Sequence, residues 1–278
     1  MGATALKFGR RVFHRLFSLD QEGELIMLYN IKFSPTGGTA KVSDHLAKYL
    51  NMEKRDVDLM KESPKLEFSK NDLIIFAAPV YSGRIPQIAK DYIKTLSGKG
   101  AKAVSLAVYG NRDYDNALLE MNEALEEGGF EVIGSGAFVS KHSIITSIAS
   151  KRPDENDLKD IEKFGDNILE LFAKGIKLNP PEVKGSGPFE EIKPGSKIDC
   201  NEDCIFCGDC VEVCPVGVIP EDEPNTTMDG CIMCMACREI CPVDARGLEP
   251  ERYEATKARL DELTKEHRPN EMYYATVK

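Results

Sequence analysis

Eight of the nine cysteines fall into two copies of one spacing, and no other feature constrains the fold of this 278-residue chain as strongly. Each copy reads C-x-x-C-x-x-C-x-x-x-C-P. In proteins with two 4Fe–4S clusters, the first three cysteines of such a run ligate one cluster and the fourth ligates the other. The first cysteine set is therefore Cys204, Cys207, Cys210 and Cys241, and the second cysteine set is Cys231, Cys234, Cys237 and Cys214.

Two other uses of these cysteines fit the pattern less well. A disulfide framework needs an oxidising compartment, and the start of the chain lacks the apolar core and cleavage site of a signal peptide. Structural zinc usually takes two separated C-x-x-C pairs, and it gives no reason for a proline after each fourth cysteine. We therefore expect two 4Fe–4S clusters, with electron transfer as their use. Cys200 lies outside the repeat; we expect a spare thiol there, with a rescue or redox role as the alternative.

The negative charge of the chain is concentrated around the cysteines. The formal net charge is −10. Residues 196–250 contain 3 Lys or Arg and 12 Asp or Glu, a balance of −9, which leaves −1 for the rest of the chain. This balance disfavours a nucleic-acid partner, because nucleic acids are bound mainly through cations. We expect redox partner proteins with a basic docking face, since complementary charge speeds their encounter.

Residues 1–24 are a basic N-terminal extension. Lys7, Arg10, Arg11, His14 and Arg15 interleave with apolar residues, as in a short amphipathic helix. Such a helix can contact a membrane surface, but we expect an ordinary surface helix, or translation begun upstream of Met27. No apolar run approaches the roughly 20 residues of a membrane span. We expect a cytoplasmic protein.

From residue 25 onward the chain alternates strand-like and helix-like segments, the pattern of a parallel sheet covered by helices. The predicted strands are Leu25–Phe33, Arg55–Leu59, Leu73–Ala78, Ala103–Val108 and Phe130–Phe138. The predicted helices are Ala40–Leu50, Ile88–Thr95, Tyr114–Glu127 and Glu155–Ala173. Because Asn30 and Lys32 alternate with apolar residues, we expect the first strand to be less buried than a central strand. The pattern predicts an α/β domain with five strands.

The loop after the first strand, residues 34–39, has the composition of a phosphate site. It contains three hydroxyl donors, Ser34, Thr36 and Thr39, and two glycines, Gly37 and Gly38, immediately before a helix. Glycines let consecutive N–H groups point inward, and the helix N-terminus adds partial positive charge. The sequence lacks the lysine of a nucleoside-triphosphate loop. A simple turn that caps the helix is the alternative.

Two further loops follow the predicted strands at their carboxyl ends, where open α/β sheets bind ligands. The 79–84 loop supplies Tyr81 and the 109–114 loop supplies Tyr109, whose rings can stack on a flat aromatic cofactor. Gly83 and Gly110 allow the backbone to approach the edge of that cofactor. We expect cofactor contacts from Pro79, Val80, Tyr81, Ser82, Gly83, Tyr109, Gly110, Asn111, Asp113 and Tyr114, with Asn111 and Asp113 at its polar rim.

These residues resemble the flavodoxins, which have S-x-T-G-x-T around a phosphate and two aromatic-bearing loops around an isoalloxazine ring. Residues 27–250 as a whole resemble the flavodoxin–ferredoxin fusion proteins of anaerobic bacteria and archaea. Tyr81–Pro86, Tyr109–Arg112 and Arg152–Asp154 are similar to that group, as is His142-Ser143, although a lone loop histidine is usually structural and we give it no catalytic role. The resemblance implies a doubly wound five-stranded parallel sheet, then a small α+β bacterial-type ferredoxin domain, with noncovalent FMN and two 4Fe–4S clusters.

The expected organisation has five parts. After the extension come a flavodoxin-like domain at 25–175, a linker at 176–195, a ferredoxin domain at 196–250 and a C-terminal part at 251–278, in which Pro250–His267 reads as a packing helix. We expect an electron-transfer protein or an oxidoreductase component, with no catalytic residue assigned. The alternatives are a flavin-dependent reductase of a small oxidant or NAD(P)H, and a ferredoxin module whose first domain is an FMN-free docking scaffold.

Overall fold

The computed structural model describes residues 25–189 and 197–277. The predicted N-terminal extension, part of the predicted linker and the last residue lie outside the described residues. The strands are β1 Leu28–Lys32, β2 Lys54–Asp58, β3 Leu73–Pro79, β4 Lys102–Tyr109, β5 Glu131–Val139, β6 Leu178–Asn179, β7 Asp199–Cys200, β8 Arg246–Gly247, β9 Glu271–Tyr274 and β10 Thr276–Val277. The helices are α1 Gly38–Leu50, α2 Gln87–Thr95, α3 Ala117–Glu127, α4 Glu155–Ala173, α5 Asp209–Glu212, α6 Ala236–Ile240 and α7 Pro250–Leu263.

The main sheet has the order β2-β1-β3-β4-β5-β9. Strands β1 to β5 are all parallel, which confirms the predicted five-stranded parallel sheet. Strand β9 is an addition from the C-terminal part of the chain, and it pairs antiparallel with β5. The edge of the parallel sheet is therefore covered by a segment that lies beyond the cysteine repeat in sequence.

Apolar side chains fill both faces of the sheet, as a doubly wound fold requires. Along β3, Ile74 and Phe76 belong to one core cluster, while Leu73 and Ile75 belong to the other. Helices α2 and α3 contribute to the first cluster, and α1 and α4 contribute to the second. Because both faces are covered, β3 reads as a continuous apolar run rather than as an alternating one.

Strand β1 is more buried than its polar residues predict. It lies between β2 and β3, and Asn30 and Lys32 are only 0% and 8% exposed. The Asn30 Nδ2 atom donates to Asp44 at 2.7 Å and to Asp56 at 2.8 Å, and the Lys32 Nζ atom donates to Asp44 at 2.6 Å. The expectation of a less buried strand was wrong because carboxylates from α1 and β2 accept hydrogen bonds from the Asn30 amide nitrogen and the Lys32 ammonium.

The cysteine region folds around a small core of its own, formed by Ile198, Met235 and several cysteines. The internal repeat is visible in its backbone. In the first copy, Phe206 and Gly208 have positive φ angles of 58° and 84°, and in the second copy Met233 and Met235 have 51° and 66°. In each copy the second of these residues precedes a short helix, α5 or α6.

The chain then returns to the main sheet. Helix α7 ends at Leu263, four residues before the predicted His267, and none of its residues is buried. Residues 264–270 lead into β9, and β10 then pairs with β6 at the start of the predicted linker. The segment that enters the cysteine region and the segment that leaves it are thus paired with each other.

Candidate functional site

The 34–39 loop forms a tight turn at the carboxyl end of β1. The Gly37 N–H donates to Ser34 O at 3.3 Å, and Gly37 has a φ of +76°, a conformation that favours glycine. The Ala40 N–H donates to the Ser34 hydroxyl at 2.9 Å, and the Lys41 N–H donates to Gly37 O. Since the first four N–H groups of a helix have no acceptor within it, those of Gly38 and Thr39 remain to bind an anion.

Ser140 faces this loop, although the sequence analysis did not single it out. A Cβ atom on Gly38 would lie 2.7 Å from the Ser140 Oγ atom, so only glycine allows this close approach. Ser140 is 4% exposed, and its hydroxyl has no hydrogen-bond partner within the described part of the chain. A buried hydroxyl without a partner is costly, so its position beside the loop fits a phosphate group. It follows the fifth strand directly, which is the only sequence signal that could have identified it.

The 79–84 loop closes as a short turn in which Tyr81 and Arg84 exchange backbone hydrogen bonds of 2.9 and 3.1 Å. Ser82 and Gly83 inside the turn have positive φ angles of 51° and 80°. The Asn116 N–H donates to Gly83 O at 3.0 Å, which connects this turn to the segment just after the 109–114 loop. The structure therefore brings the two predicted ring-binding loops together.

Arg84 anchors the 79–84 loop to a buried carboxylate. Glu120, at 2% exposure, accepts hydrogen bonds from the Arg84 Nε atom at 2.7 Å and from the Lys90 Nζ atom at 2.9 Å. Burial alone would raise the pKa of Glu120, but the hydrogen bonds from Arg84 and Lys90 lower it below its usual range. Arg84 also stacks on Phe189, with 4.6 Å between the guanidinium carbon and the ring centroid.

The C-terminal segment covers the 109–114 loop. The Asn111 Nδ2 atom donates to Thr264 O at 3.1 Å and to Glu266 O at 2.9 Å, and the Arg268 N–H donates back to Asn111 Oδ1 at 3.0 Å. The Tyr109 hydroxyl donates to Pro269 O at 3.3 Å. Asn111, which was predicted to contact the polar rim of a cofactor, thus binds the C-terminal segment of the same chain. These hydrogen bonds bring residues 264–269 to the candidate site.

Asp113 and Tyr114 also contact segments that are distant in sequence. Asp113 accepts a hydrogen bond from Lys184 at 2.8 Å, and the Tyr114 hydroxyl lies 2.7 Å from both Glu271 and the Tyr273 hydroxyl. Burial raises the pKa of the Tyr114 phenol, and its hydrogen-bond partners raise it further. These contacts join β9 and the predicted linker to the 109–114 loop.

The loop after β5 joins the candidate flavin site to the cysteine region. The His142 Nδ1 atom accepts the N–H groups of Ile144 and Ile145, both at 3.1 Å. Burial lowers the pKa of His142 to about 4, so Nδ1 remains an acceptor near neutral pH. A Cβ atom on Gly110 would overlap His142, and the Arg238 Nη1 atom donates to Ile144 O at 2.9 Å.

Each cysteine set lines a separate cavity. The first cavity is lined by all four cysteines of the first set, including Cys241, and also by Cys200 and Arg246. The second cavity is lined by all four cysteines of the second set, including Cys214. Four thiols around one cavity are the donor set that a 4Fe–4S cluster requires. In the described residues, no group of three or more His, Cys, Asp or Glu is arranged to hold a single metal ion.

The two cavities have different surroundings. The second set lies beside the flavodoxin-like domain: Ile232 packs against the main core, and Arg238, next to Cys237, donates to Ile144 O. Burial raises the pKa of the Tyr81 phenol well above its usual value, and Cys234 adds to that rise. The first set lies next to exposed apolar side chains, Ile205 and Phe206, which are both 60% exposed.

Comparison with protein families matches two separate parts of the chain. A flavodoxin domain matches residues 29–129, and a 4Fe–4S dicluster domain matches residues 203–246. The chain is a flavodoxin domain followed by a 4Fe–4S dicluster domain, the arrangement of a flavodoxin–ferredoxin fusion. It is therefore an electron-transfer flavin and iron–sulfur protein, with other redox proteins as its partners.

The chain is also similar to solved structures at low identity. An oxidised flavodoxin from Bacillus cereus is 21% identical, with 54% of this chain and 99% of that chain covered and a TM-score of 0.41. A rubredoxin oxygen:oxidoreductase from Desulfovibrio gigas is 10% identical, with 62% and 41% covered and a TM-score of 0.40. The chain matches none of the curated proteins. No helix in residues 25–189 and 197–277 is long and apolar enough to cross a membrane.

Proposed function

We propose that the protein binds one noncovalent FMN and two 4Fe–4S clusters, and passes electrons between them along one internal route. The observation that carries this proposal is the position of the second cysteine set beside the flavodoxin domain, where Ile232 packs against the main core and the Arg238 Nη1 atom donates to Ile144 O at 2.9 Å. When bound, clusters supply single-electron transfer, and a flavin stores one or two electrons.

The residues around the 34–39 loop fit the phosphate of FMN. Hydroxyls of Ser34, Thr36, Thr39 and Ser140 can donate to it, together with the N–H groups at the start of α1. The 79–84 and 109–114 loops would hold the ring, with Tyr81 on the side that faces the second cysteine set. Three non-glycine residues with positive φ, Ser82, Asn111 and Asp115, lie in or next to these loops. Such conformations often mark ligand sites.

The first cysteine set suits the exchange of electrons with a partner. Cys207 is exposed, and Ile205 and Phe206 beside it form an apolar tip. Exposed carboxylates of Glu202, Asp203 and residues 221–223 lie in the same acidic region. We propose that a redox partner with a basic docking face binds there, with electrostatics increasing the association rate. A cytoplasmic location is part of the same proposal.

The route is tested by anaerobic stopped-flow at the flavin absorbance, after iron, sulfide and flavin analysis of the protein. We expect about eight iron and eight sulfide per chain, as two cubane clusters require. Reduction by a basic redox protein should slow as salt rises, because charges are screened beyond about 10 Å at 0.1 M. A small neutral reductant should show little salt dependence.

The control is a variant without complete clusters, Cys207→Ser with Cys234→Ser. It should keep FMN, and dithionite should still reduce that flavin, but the partner protein should no longer do so. Partner-driven flavin reduction at the wild-type rate in this variant would show that the flavin meets partners directly. A fully reconstituted wild type with only four iron would instead contradict the two-cluster assignment.

A further inference from the structure

Arg246 is a buried cation without a carboxylate partner in the described part of the chain. It is 3% exposed, and it begins strand β8. Its Nη1 atom donates to the Thr227 hydroxyl at 2.8 Å, and Nη2 donates to Thr226 O at 3.0 Å and to Pro224 O. Its Nε atom is buried without a hydrogen-bond partner among the described residues. Since a buried charge is costly unless another charge compensates it, this guanidinium requires a negative counterpart.

The negative counterpart is on the side of the cysteines. Arg246 lines the cavity of the first cysteine set, and its Nη2 atom lies 3.5 Å from the Cys210 Sγ atom. Arg246 is not among the residues that line the cavity of the second cysteine set. A cluster ligated by four thiolates is anionic, so it would supply the charge that the protein around Arg246 does not.

The internal repeat shows what the second cavity has in place of this arginine. In the alignment of the two copies, Arg246 corresponds to Ile219. Ile219 is 5% exposed and lines the cavity of the second cysteine set. The two cavities therefore have equivalent positions with different residues, a buried cation in one and an alkyl chain in the other. The equivalent position of the second cavity thus holds an alkyl chain and no charge.

We propose that Arg246 is a positioning residue that raises the reduction potential of the first set's cluster above that of the second set's cluster. Each cluster gains one electron, and thus one negative charge, from the flavin or partner of the proposed route. Arginine remains protonated, so no proton moves. A buried positive charge beside the first set stabilises the reduced form more than the oxidised form, because the reduced form carries the additional negative charge. The inference rests on the proposed function, since it requires both clusters.

The test is a redox titration of the anaerobic holoprotein, followed by EPR and visible absorbance. We expect Arg246→Ile, which gives the first cavity the residue of the second, to shift one cluster's reduction equilibrium about tenfold toward the oxidised form, about 59 mV for a one-electron couple. Arg246→Lys keeps the charge and should shift it much less. The control is Arg252→Gln: Arg252 pairs with the partly exposed Asp199 in the neighbouring segment, and its loss should leave both couples unchanged.

Iron and sulfide analysis separates the two possible failures. A wild type that cannot hold two clusters would contradict the proposed function itself. Two full clusters in Arg246→Ile with both potentials unchanged would overturn the role of Arg246 while leaving the proposed function intact. If Arg246→Ile does not load its clusters, Arg246→Gln carries the same test, because glutamine retains donors for Thr227 without the charge. Unchanged potentials in the loaded glutamine variant would also overturn the inference.

Discussion

Replacing Ser140 with alanine should affect stability and FMN binding in different ways. The Ser140 hydroxyl is buried beside Gly38 and has no partner within the described residues, so the protein without flavin loses no hydrogen bond when it is removed. An unsatisfied buried polar group costs roughly 1–3 kcal/mol. We therefore expect Ser140→Ala to leave the free energy of unfolding of the apo flavodoxin domain unchanged or to increase it slightly.

The same substitution should weaken FMN binding. If the hydroxyl donates to a charged phosphate oxygen, its loss costs roughly 1.5–3 kcal/mol, which is about ten- to hundredfold in Kd. Riboflavin lacks the phosphate and should bind the wild type and the variant equally. Fluorescence titration of the flavin-free protein with both ligands measures the two affinities, and urea unfolding measures the stability.

Ser105→Ala is the matched control. The Ser105 hydroxyl is also buried, but it bonds to Asn122 of α3 at 2.6 Å and to the Ser135 hydroxyl of β5 at 2.9 Å. Its removal should lower the free energy of unfolding without changing the preference for FMN over riboflavin. Equal weakening of FMN and riboflavin by Ser140→Ala would refute the reasoning, because it would place the phosphate away from this hydroxyl.

Three further predictions concern the clusters, pH and the anchor of the 79–84 loop. Cys241→Ser should damage the cluster of Cys204, Cys207 and Cys210 and spare the other, whereas Cys200→Ser should spare both; EPR of the reduced variants distinguishes them. Burial lowers the pKa of His142 from its usual 6.5 to about 4, so between these two pH values the unfolded state binds more protons than the folded state. The free energy of unfolding therefore falls as the pH decreases from 6.5 to about 4, by at most roughly 3 kcal/mol. His142→Asn should lose less in urea unfolding across this range. Glu120→Gln should cost roughly 3–5 kcal/mol by removing the buried negative charge that binds Arg84 and Lys90, against about 1 kcal/mol or less for Glu262→Gln at an exposed pair, as urea unfolding measures.

The features that the sequence predicts well depend on neighbouring residues. The apolar run of β3 and the glycine turn after β1 are complete within a few positions, so their structures follow from local pattern. Three cysteines of each set are equally local, because only two residues separate one from the next, whereas the fourth comes from the other copy. The sequence alone assigns Cys241 to the first set and Cys214 to the second set, because the rule for the fourth cysteine is general.

The features that the sequence did not predict depend on residues far apart along the chain. Strand β9 becomes a strand only because Gly134–Ala137 of β5 offers it an edge. The sequence predicts Asn111 as a ligand contact, because nothing near it indicates that the carbonyl oxygens of Thr264 and Glu266 accept hydrogen bonds from its amide. A hydroxyl such as that of Ser140 is invisible until Gly38 is seen to face it. Long-range pairing of this kind has no periodic pattern to reveal it.

The C-terminal segment restricts how the two domains are oriented for electron transfer. In the sequence, the cysteine region lies between β6 and β10, and these two strands pair with each other. Asn270, just before β9, donates to Asp157 at 2.8 Å and to Asp160 at 2.9 Å, and it accepts the Val139 N–H at 3.0 Å. The segment before the cysteine region thus pairs with β10, and the segment after it adds β9 to the main sheet. A single flexible linker would only raise the effective concentration of one carrier near the other, with many orientations sampled. Two paired ends restrict those orientations, which favours the one in which the second cysteine set lies beside Tyr81.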